Sequence, residues 1–345
     1  MLIKCGTLID GSGARPVTGG AILVEGTTIA AVGSADQIKA PPDAPVVDLS
    51  AYTVIPGMID CHDHLQFDTG DEEAMSREPL GWLMMRAAKN ARKLLRAGIT
   101  TMRDVGAKGF GDVEIKRAIE AGLVPGPRLL VSGHFVVRTG GHAWYLGEQA
   151  DGPDGVRAAV RRQVRGGADL VKFMITGGIA TRGMDPVGAT YGREEIWAAV
   201  DEAHREGKKA AAHGYGGPAV LHAVEAGLDS LEHAAMCSTA ELEAMANKGT
   251  YLVCTYGVME HVVATPGIPE FFRERRWPGQ EQEGAPGAQL RRGQGRPDPD
   301  RAGWIWPQTG RAGAEPRVLR LPRRAPAIPL RSEQGEATAG GGWVR

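Results

Sequence analysis

The alternation of apolar and polar positions changes character near residue 53. Before it, short stretches rich in β-branched residues are separated by glycine-rich turns, which predicts strands in KCGTLID, GGAILVEG and TTIAAVG. From residue 53 onward, apolar runs of strand length alternate with stretches of helical periodicity that mostly end on glycine. The first region therefore suggests a small antiparallel sheet, and the second suggests a parallel sheet covered by helices.

Seven strands are predicted in the second region, at residues 53–65, 98–106, 127–137, 168–178, 208–216, 229–235 and 250–258. Helices are predicted between them, at 81–98, 113–122, 155–167, 193–207, 218–227 and 239–249. Seven such units fit a (β/α)8 barrel of the TIM type better than an open sheet. No eighth strand is recognisable, so the predicted fold class is α/β with an incomplete (β/α)8 TIM-type barrel.

Charge and cysteine usage narrow the function classes. The net charge is -1, so no overall field favours nucleic acid or a membrane surface. The four cysteines, at positions 5, 61, 237 and 254, form no CxxC pair, which argues against a disulfide framework or a thiolate zinc site. The first residues lack a signal-peptide core and no apolar run has membrane-spanning length, so the expected location is cytoplasmic.

The last part of the chain has a different composition. The 69 residues from Trp277 to Arg345 contain 12 Gly, 9 Pro and 11 Arg but no Lys or His, which is typical of disorder. The predicted division is therefore 1–52, 53–276 and a tail at 277–345. Either a shifted reading frame in GC-rich DNA or a genuine Arg/Gly tail explains this change. An RNA-binding role for the tail is disfavoured, because it has no RGG repeat and carries seven acidic residues, and we expect no nucleic-acid partner.

Four histidines and one lysine fall at the ends of predicted strands. His62 and His64, two residues apart, project from one face of the first strand, and the others are Lys172, His213 and His233. In a barrel of this kind the carboxyl ends of the strands meet at one rim, where the active site lies. One buried histidine is more often structural, but this set favours a metal site.

Lys172 is unusual in such a set, because a protonated ammonium group does not bind a metal. Burial beside other cations lowers the pKa of a lysine. The neutral amine can then take up CO2 and form an anionic carbamate, whose two oxygens can bridge two metal ions. The alternative is a lysine that pairs with a carboxylate at the strand end.

Several phrases occur in order with suitable gaps: PGMIDCHDHL, AGITTMRDVG, RTGGHAW, ADLVKFMITGG, DEAHREGKKAAAHGYG and AGLDSLEH. Through them, residues 1 to about 275 resemble the amidohydrolase superfamily, and within it the imidazolonepropionase-like branch with zinc-dependent Xaa-Pro and Xaa-Arg dipeptidases. The resemblance implies two divalent ions, Zn²⁺ by expectation, held by His62, His64, His213 and His233 and bridged by the Lys172 carbamate. It also implies that the first 52 residues form part of a small β-sandwich.

The same resemblance implies catalytic roles for His142, which would polarise the scissile carbonyl, and for Tyr215, which would assist there. The implied activity is hydrolysis of an amide C–N bond in a small dipeptide-like or N-acyl amino acid substrate, by a hydroxide that bridges the metals. No membrane partner is expected, and association into a homo-oligomer stays open.

The resemblance stops near Trp277, and one expected ligand is missing. The family has an aspartate at the end of its eighth strand, which binds metal and takes the proton from the attacking water. After Glu274 the only aspartates are Asp298 and Asp300, each directly after a proline in a glycine- and arginine-rich context, and neither is accepted as the base. The alternative function is therefore a catalytically inactive, incomplete amidohydrolase that binds metal only.

Overall fold

A computed structural model of the chain describes residues 1–257. The strands in this range are β1 (Leu2–Leu8), β2 (Val17–Glu25), β3 (Thr28–Ser34), β4 (Val46–Val54), β5 (Met58–Asp63), β6 (Ile99–Asp104), β7 (Arg128–Val131), β8 (Val136–Val137), β9 (Glu148–Gln149), β10 (Leu170–Met174), β11 (Lys209–Gly214), β12 (Ser230–His233) and β13 (Tyr251–Val253). The helices are α1 (Glu72–Ser76), α2 (Leu80–Arg96), α3 (Gly111–Glu120), α4 (Gly152–Arg165), α5 (Arg193–Arg205), α6 (Pro218–Glu225) and α7 (Thr239–Lys248). A short 3-10 helix, Lys108–Phe110, precedes α3.

The N-terminal sheet has the strand order β3-β2-β1-β4. The three predicted strands are present, but the expectation of a purely antiparallel sheet is wrong, because β1 and β4 pair in parallel. β4 also takes Thr53 and Val54, which the sequence pattern assigned to the first barrel strand, and it crosses the predicted boundary at residue 52. Pro56, which has no N–H to donate to a ladder, lies between β4 and β5 and separates the two strands.

The remaining strands form two parallel sheets, in the orders β5-β6-β7 and β13-β12-β11-β10-β8-β9. The two sheets meet at β7 and β10, where the Asp169 N–H donates to the Val131 carbonyl at 2.7 Å. The predicted α/β architecture with parallel pairing is confirmed. The eighth strand and the tail 277–345 fall outside the described residues, so the eight-stranded barrel stays a prediction.

The strand predicted at 127–137 is interrupted, and its two parts are β7 and β8. Backbone N–H groups of Ser132 and Gly133 donate to the buried Asp112 carboxylate at 3.0 and 2.7 Å. Gly133 also has a φ of 70°, a left-handed conformation that suits glycine. These two features turn the chain away from the ladder between β7 and β8.

The six predicted helices begin and end within three residues of the expected positions. α7 shows why such signals work: the Ser238 hydroxyl accepts from the Glu241 N–H, and Gly249 ends the helix at a φ of 75°. The short helix α1 was not expected; the Asp71 carboxylate caps it by accepting from the Ala74 N–H. No helix within residues 1–257 is long and apolar enough to cross a membrane.

The largest core lies between the six-stranded sheet and helices α4, α5 and α6. It includes Val160, Val171, Phe173, Ile196 and Val220, all fully buried. Burial of this apolar surface contributes about 25 cal/mol per Å² to folding. It fixes β10, β11 and β12 in place, and these strands carry Lys172, His213 and His233.

Candidate metal centre

The structure brings the side chains predicted from strand ends around one cavity. The His62 and His64 rings lie 5.4 Å apart, centroid to centroid, and His62 lies 4.8 Å from His233. The His233 ring lies 4.7 Å from that of His213. Four imidazoles from β5, the turn after it, β11 and β12 thus form a continuous cluster, although the chain separates the first from the last by more than 150 residues.

One ring nitrogen of each histidine is engaged by a protein oxygen. His62 Nδ1 donates to Glu232 Oε2 at 2.9 Å, His64 Nδ1 to the Gly106 carbonyl at 2.8 Å, and His213 Nε2 to the Gly177 carbonyl at 2.9 Å. His233 Nδ1 lies 2.7 Å from the Thr255 hydroxyl. A carboxylate or carbonyl accepts only from a protonated nitrogen, so the second nitrogen of these rings carries the lone pair. Metal-binding histidines generally show this arrangement.

The surroundings keep these imidazoles neutral. Burial is the main cause, and the positive charge of the nearby Lys172 is the second. Together they lower the pKa of His64 to about 4 and that of His62 well below its ordinary value. Burial and neighbouring imidazoles likewise hold the pKa values of His213 and His233 well below the ordinary 6.5. A neutral imidazole is the form that binds a metal ion.

Lys172 lies on β10, is 1% exposed and lines the same cavity. Burial lowers the pKa of its amine from 10.5 to about 8, as the sequence predicts. None of residues 1–257 accepts a hydrogen bond from this amine or forms an ion pair with it within 4.0 Å. The alternative expectation was a lysine paired with a carboxylate. Within residues 1–257 the carboxylate charge that acts on Lys172 is that of Glu232, which raises the pKa against the effect of burial without forming an ion pair.

His142 and Tyr215 lie against the histidine cluster. The His142 ring lies 4.4 Å from His213, and Tyr215 stacks on His233 at 5.2 Å. His142 Nδ1 lies 2.9 Å from the Thr181 hydroxyl. A side chain at Gly178 would overlap the His142 ring, because a Cβ there would lie 2.2 Å from His142 Cε1.

Two residues beside these side chains have strained backbone conformations. His233 has a φ of 77° and Ala143, next to His142, a φ of 56°. Such values are costly for residues other than glycine and persist where surrounding contacts enforce them. Here the Ala143 N–H donates to Thr181 at 2.8 Å, and the Ala234 N–H donates to the Gly214 carbonyl at 3.0 Å. Strain at two cavity positions is a feature of functional sites rather than of cores.

The cavity has a volume of about 240 Å³ and a mixed lining. Its polar residues include the histidines, Lys172 and Tyr215. Its apolar residues are Phe67, Phe135, Ala143, Leu146, Met174, Ile179 and Ala180. Asp63, Asp68 and Glu72 also contribute to the lining. The arrangement suits a small molecule with a polar reacting group and an apolar substituent.

The cavity offers imidazole donors in two pairs. Among the described residues, no three His, Cys, Asp or Glu side chains are arranged to hold an ion by themselves. The imidazoles lie as the pairs His62/His64 and His213/His233, with Lys172 at the same cavity. A carbamate on Lys172 is the ligand type that would complete both pairs, and with it the residues present would fit metal ions.

Sequence reasoning missed the residues that hold the imidazoles in place: Arg103, Thr181, Glu232 and Thr255. A signal existed for two of them, since Arg103 in TTMRD and Glu232 in LEH are charged residues within apolar strands. Such charges are costly to bury unless they are paired. Three other histidines, His134, His204 and His222, do not line the cavity, and His261, Asp298 and Asp300 fall outside residues 1–257.

Comparison with known proteins agrees with this geometry. The family model described as "Amidohydrolase family" matches residues 53–268. Ochratoxinase from Aspergillus niger is 31% identical over 298 residues, which cover 77% of this chain and 61% of that protein. Imidazolonepropionase from Symbiobacterium thermophilum is 27% identical over 310 residues, covering 76% and 67%.

Solved structures show the same relationship. A crystal structure described as an amidohydrolase is 34% identical, with a TM-score of 0.71, and the match covers 79% of this chain and 71% of that one. A Xaa-Pro dipeptidase with bound methionine is 29% identical with a TM-score of 0.69, over the same shares.

The chain therefore belongs to the amidohydrolase family, whose members are generally metal-dependent and have a TIM-barrel fold. The resemblance read from the sequence is confirmed. The chain spans about 61% of the length of the ochratoxinase that it matches.

Proposed function

We propose that this protein is a metal-dependent hydrolase that cleaves an amide C–N bond in a dipeptide-like or N-acyl amino acid substrate. The observation that carries the proposal is the cluster of four neutral imidazoles and a buried lysine on one cavity. Family membership supports hydrolase chemistry of this kind, and the Xaa-Pro dipeptidase among the structural neighbours acts on a dipeptide by its name. The same proposal includes an incomplete (β/α)8 barrel and a cytoplasmic location. It also includes a division of the chain at residues 52 and 276.

In this proposal His62 and His64 would hold one divalent ion, His213 and His233 would hold a second, and Lys172, as a carbamate, would be a ligand of both. Zn²⁺ is the expected metal. When bound, the ions supply Lewis-acid chemistry: they polarise a carbonyl group and make a water-derived nucleophile available at neutral pH. For the carbamate, the Lys172 amine forms a bond to the carbon of CO2, and the proton that it loses passes to solvent.

His142 has the role of a hydrogen-bond donor to the substrate carbonyl. The Thr181 hydroxyl accepts from the Ala143 N–H and lies 2.9 Å from His142 Nδ1, to which it donates in this proposal. In that tautomer the ring proton lies on Nε2, where it stabilises negative charge that develops on the carbonyl oxygen. Tyr215, stacked on His233, assists at the same place.

The apolar part of the lining limits the substrate class. Phe67, Phe135, Leu146 and Met174 offer an apolar substituent a surface from which water is excluded. Asp68 and Glu72 add negative charge to the lining. Dipeptide-like and N-acyl amino acid substrates with an apolar side chain are therefore preferred over those with an acidic side chain.

A second candidate is an inactive amidohydrolase that binds metal only. It is favoured because no aspartate phrase of the family type follows residue 274. Within residues 1–257, β5 and β13 are the end strands of their sheets. Ile59 on β5 is 68% exposed and Tyr251 on β13 is 73% exposed. An eighth strand of the family type would lie beside these two strands.

The experiment is amine release from a panel of Xaa-Pro and Xaa-Arg dipeptides and N-acyl amino acids, with Zn²⁺ and bicarbonate present. We expect hydrolysis that a chelator abolishes and that His142→Asn lowers by about 100-fold, the usual effect of losing one transition-state donor. His134→Asn, which removes an imidazole outside the cavity, is the matched control. Metal binding without amine release would favour the second candidate, and release unaffected by the chelator would contradict the first.

A further inference from the structure

A fully buried carboxylate beside the histidine cluster belongs to Glu232 on β12, which is 0% exposed. Its Oε2 accepts from His62 Nδ1 at 2.9 Å. Its Oε1 accepts from Arg103 Nη2 at 2.6 Å and from the Ser230 hydroxyl at 2.9 Å. Both oxygens are therefore engaged by protein donors, and Glu232 does not line the cavity. It is not placed to exchange a proton with a substrate.

Arg103 on β6 connects the carboxylate to the backbone beside His62. Its Nε donates to the Cys61 carbonyl at 2.6 Å, and its Nη1 donates to the Ser230 hydroxyl at 3.1 Å. One guanidinium thus contacts the residue before His62 and the carboxylate that holds the His62 ring. Because the guanidinium is planar and rigid, these contacts fix direction as well as distance.

We infer that Glu232 is the positioning residue of His62, and that Arg103 positions Glu232. The carboxylate fixes the His62 proton on Nδ1, orients Nε2 towards the cavity and increases its basicity as a ligand. This inference rests on the proposed function in one respect, since it takes His62 as a metal ligand. It adds that β12 supplies the ligand His233 and also orients a ligand from β5, so the two ion sites depend on one strand.

The chain offers a matched control for the loss of a buried carboxylate. Glu202 on α5 is 3% exposed and is bound by two arginines, Arg157 at 3.0 Å and Arg161 at 2.6 Å. It contacts no histidine of the cluster. Glu202→Gln and Glu232→Gln therefore both remove a buried charge that arginine holds, but only Glu232→Gln alters the acceptor of an imidazole. The amide keeps one acceptor oxygen, for which His62 and Arg103 then compete.

The first measurement is a Zn²⁺ competition titration of the full chain against a chromophoric chelator. We expect Glu232→Gln to weaken the affinity of one zinc site by about 10- to 100-fold, the usual effect of losing such a partner. Arg103→Lys, which keeps the positive charge but not the fork, is expected to give a smaller loss. Glu202→Gln is expected to leave zinc affinity unchanged. A zinc affinity of Glu232→Gln within about twofold of wild type would overturn the inference.

The second measurement does not need metal. In ¹⁵N-histidine NMR spectra of the metal-free protein, His62, assigned from the spectrum of His62→Gln, should be the Nδ1–H tautomer. In Glu232→Gln it should become a mixture of tautomers, while Glu202→Gln keeps the wild-type signal. If the wild type binds no zinc, the proposed function fails, and this spectrum still decides the positioning role. If Glu232→Gln does not fold, Arg103→Lys and Ser230→Ala take its place, and an unchanged His62 tautomer and zinc affinity in both would overturn the inference.

Discussion

Two groups of strands supply the same cavity but are stabilised in different ways. In the first, β10 to β12, every residue of β10 is buried and helices α4 to α6 cover the sheet. In the second, β5 to β7, the edge strand β5 exposes Met58 and Ile59. A smaller core under α2 and α3, with Leu65, Met102 and Val131, supports this second group.

The buried carboxylates beside the two groups of strands also have different kinds of partner. Glu202, beside the first group, is paired with two arginines. Asp112, behind the second group, is fully buried and accepts from the N–H groups of Val113, Ser132 and Gly133. None of the ion pairs among the described residues includes it. The first group therefore has the larger core and an ion-paired carboxylate. The second has the smaller core, a carboxylate held by backbone hydrogen bonds, and Arg103, which connects β6 to Glu232 on β12.

The largest expected effect concerns the metal ligands, because each group of strands contributes one histidine pair. The double variant His62→Ala, His64→Ala should lose one metal equivalent per chain and keep the other. The double variant His213→Ala, His233→Ala should show the reverse. Metal content by mass spectrometry checks both, with His134→Ala as the control for loss of an imidazole. Unchanged metal content in either double variant would contradict the assignment.

Next in size is a matched pair of isoleucine truncations. Ile196 on α5 is fully buried in the core over β10 to β12, and Ile59 on β5 is 68% exposed. Ile196→Ala should lower the free energy of unfolding by about 2–5 kcal/mol, because it leaves a cavity in a packed core. Ile59→Ala should change it by no more than about 0.5 kcal/mol. Urea unfolding measures both, and equal losses would remove the contrast between the two groups.

The smallest expected effect is on the pH dependence of stability. Burial raises the pKa of Asp112 to about 7, from 3.8. Its contribution to stability is therefore fully present below about pH 4 and is lost as the pH rises through 7, by at most about 1.4 kcal/mol per pH unit. Hydrogen bonds from Arg161 and Arg157 lower the pKa of Glu202, so its contribution is present above about pH 4.5 and is lost as the pH falls.

Thermal unfolding between pH 5 and 8 tests this difference. Relative to wild type, Asp112→Asn should lose less stability as the pH rises, so the gap between the two proteins narrows or reverses towards pH 8. Glu202→Gln should keep the wild-type slope over this range, because its carboxylate is ionised throughout. A gap between Asp112→Asn and wild type that is constant with pH would show that Asp112 keeps an ordinary pKa in the folded protein.

Much of the fold follows from local patterns. Helices α2 to α7 were predicted because their apolar periodicity and terminal glycines are local properties. Strands β10 and β11 were predicted because a long apolar run bounded by turns is also a local property. β4 was missed, since its exposed alternating residues resemble a loop, and its pairing with β1 joins residues more than 40 positions apart. The break between β7 and β8 was missed for a similar reason, because Asp112, whose carboxylate holds the turn, lies about 20 residues earlier.

The sequence by itself determined which residues were predicted to meet at one cavity: two histidines at i and i+2, two more at later strand ends, and a lysine in an apolar run. This prediction needs only the spacing of residues along one strand and the fact that parallel strands end at the same edge of a sheet. Only the tertiary structure decided which oxygen holds each imidazole. Glu232 contacts His62 across 170 residues of chain, and Thr255 contacts His233 from the end of β13. Hydrogen bonds need atoms within about 3 Å and in the right direction, and a sequence pattern contains neither distance nor direction between strands that are far apart in the chain.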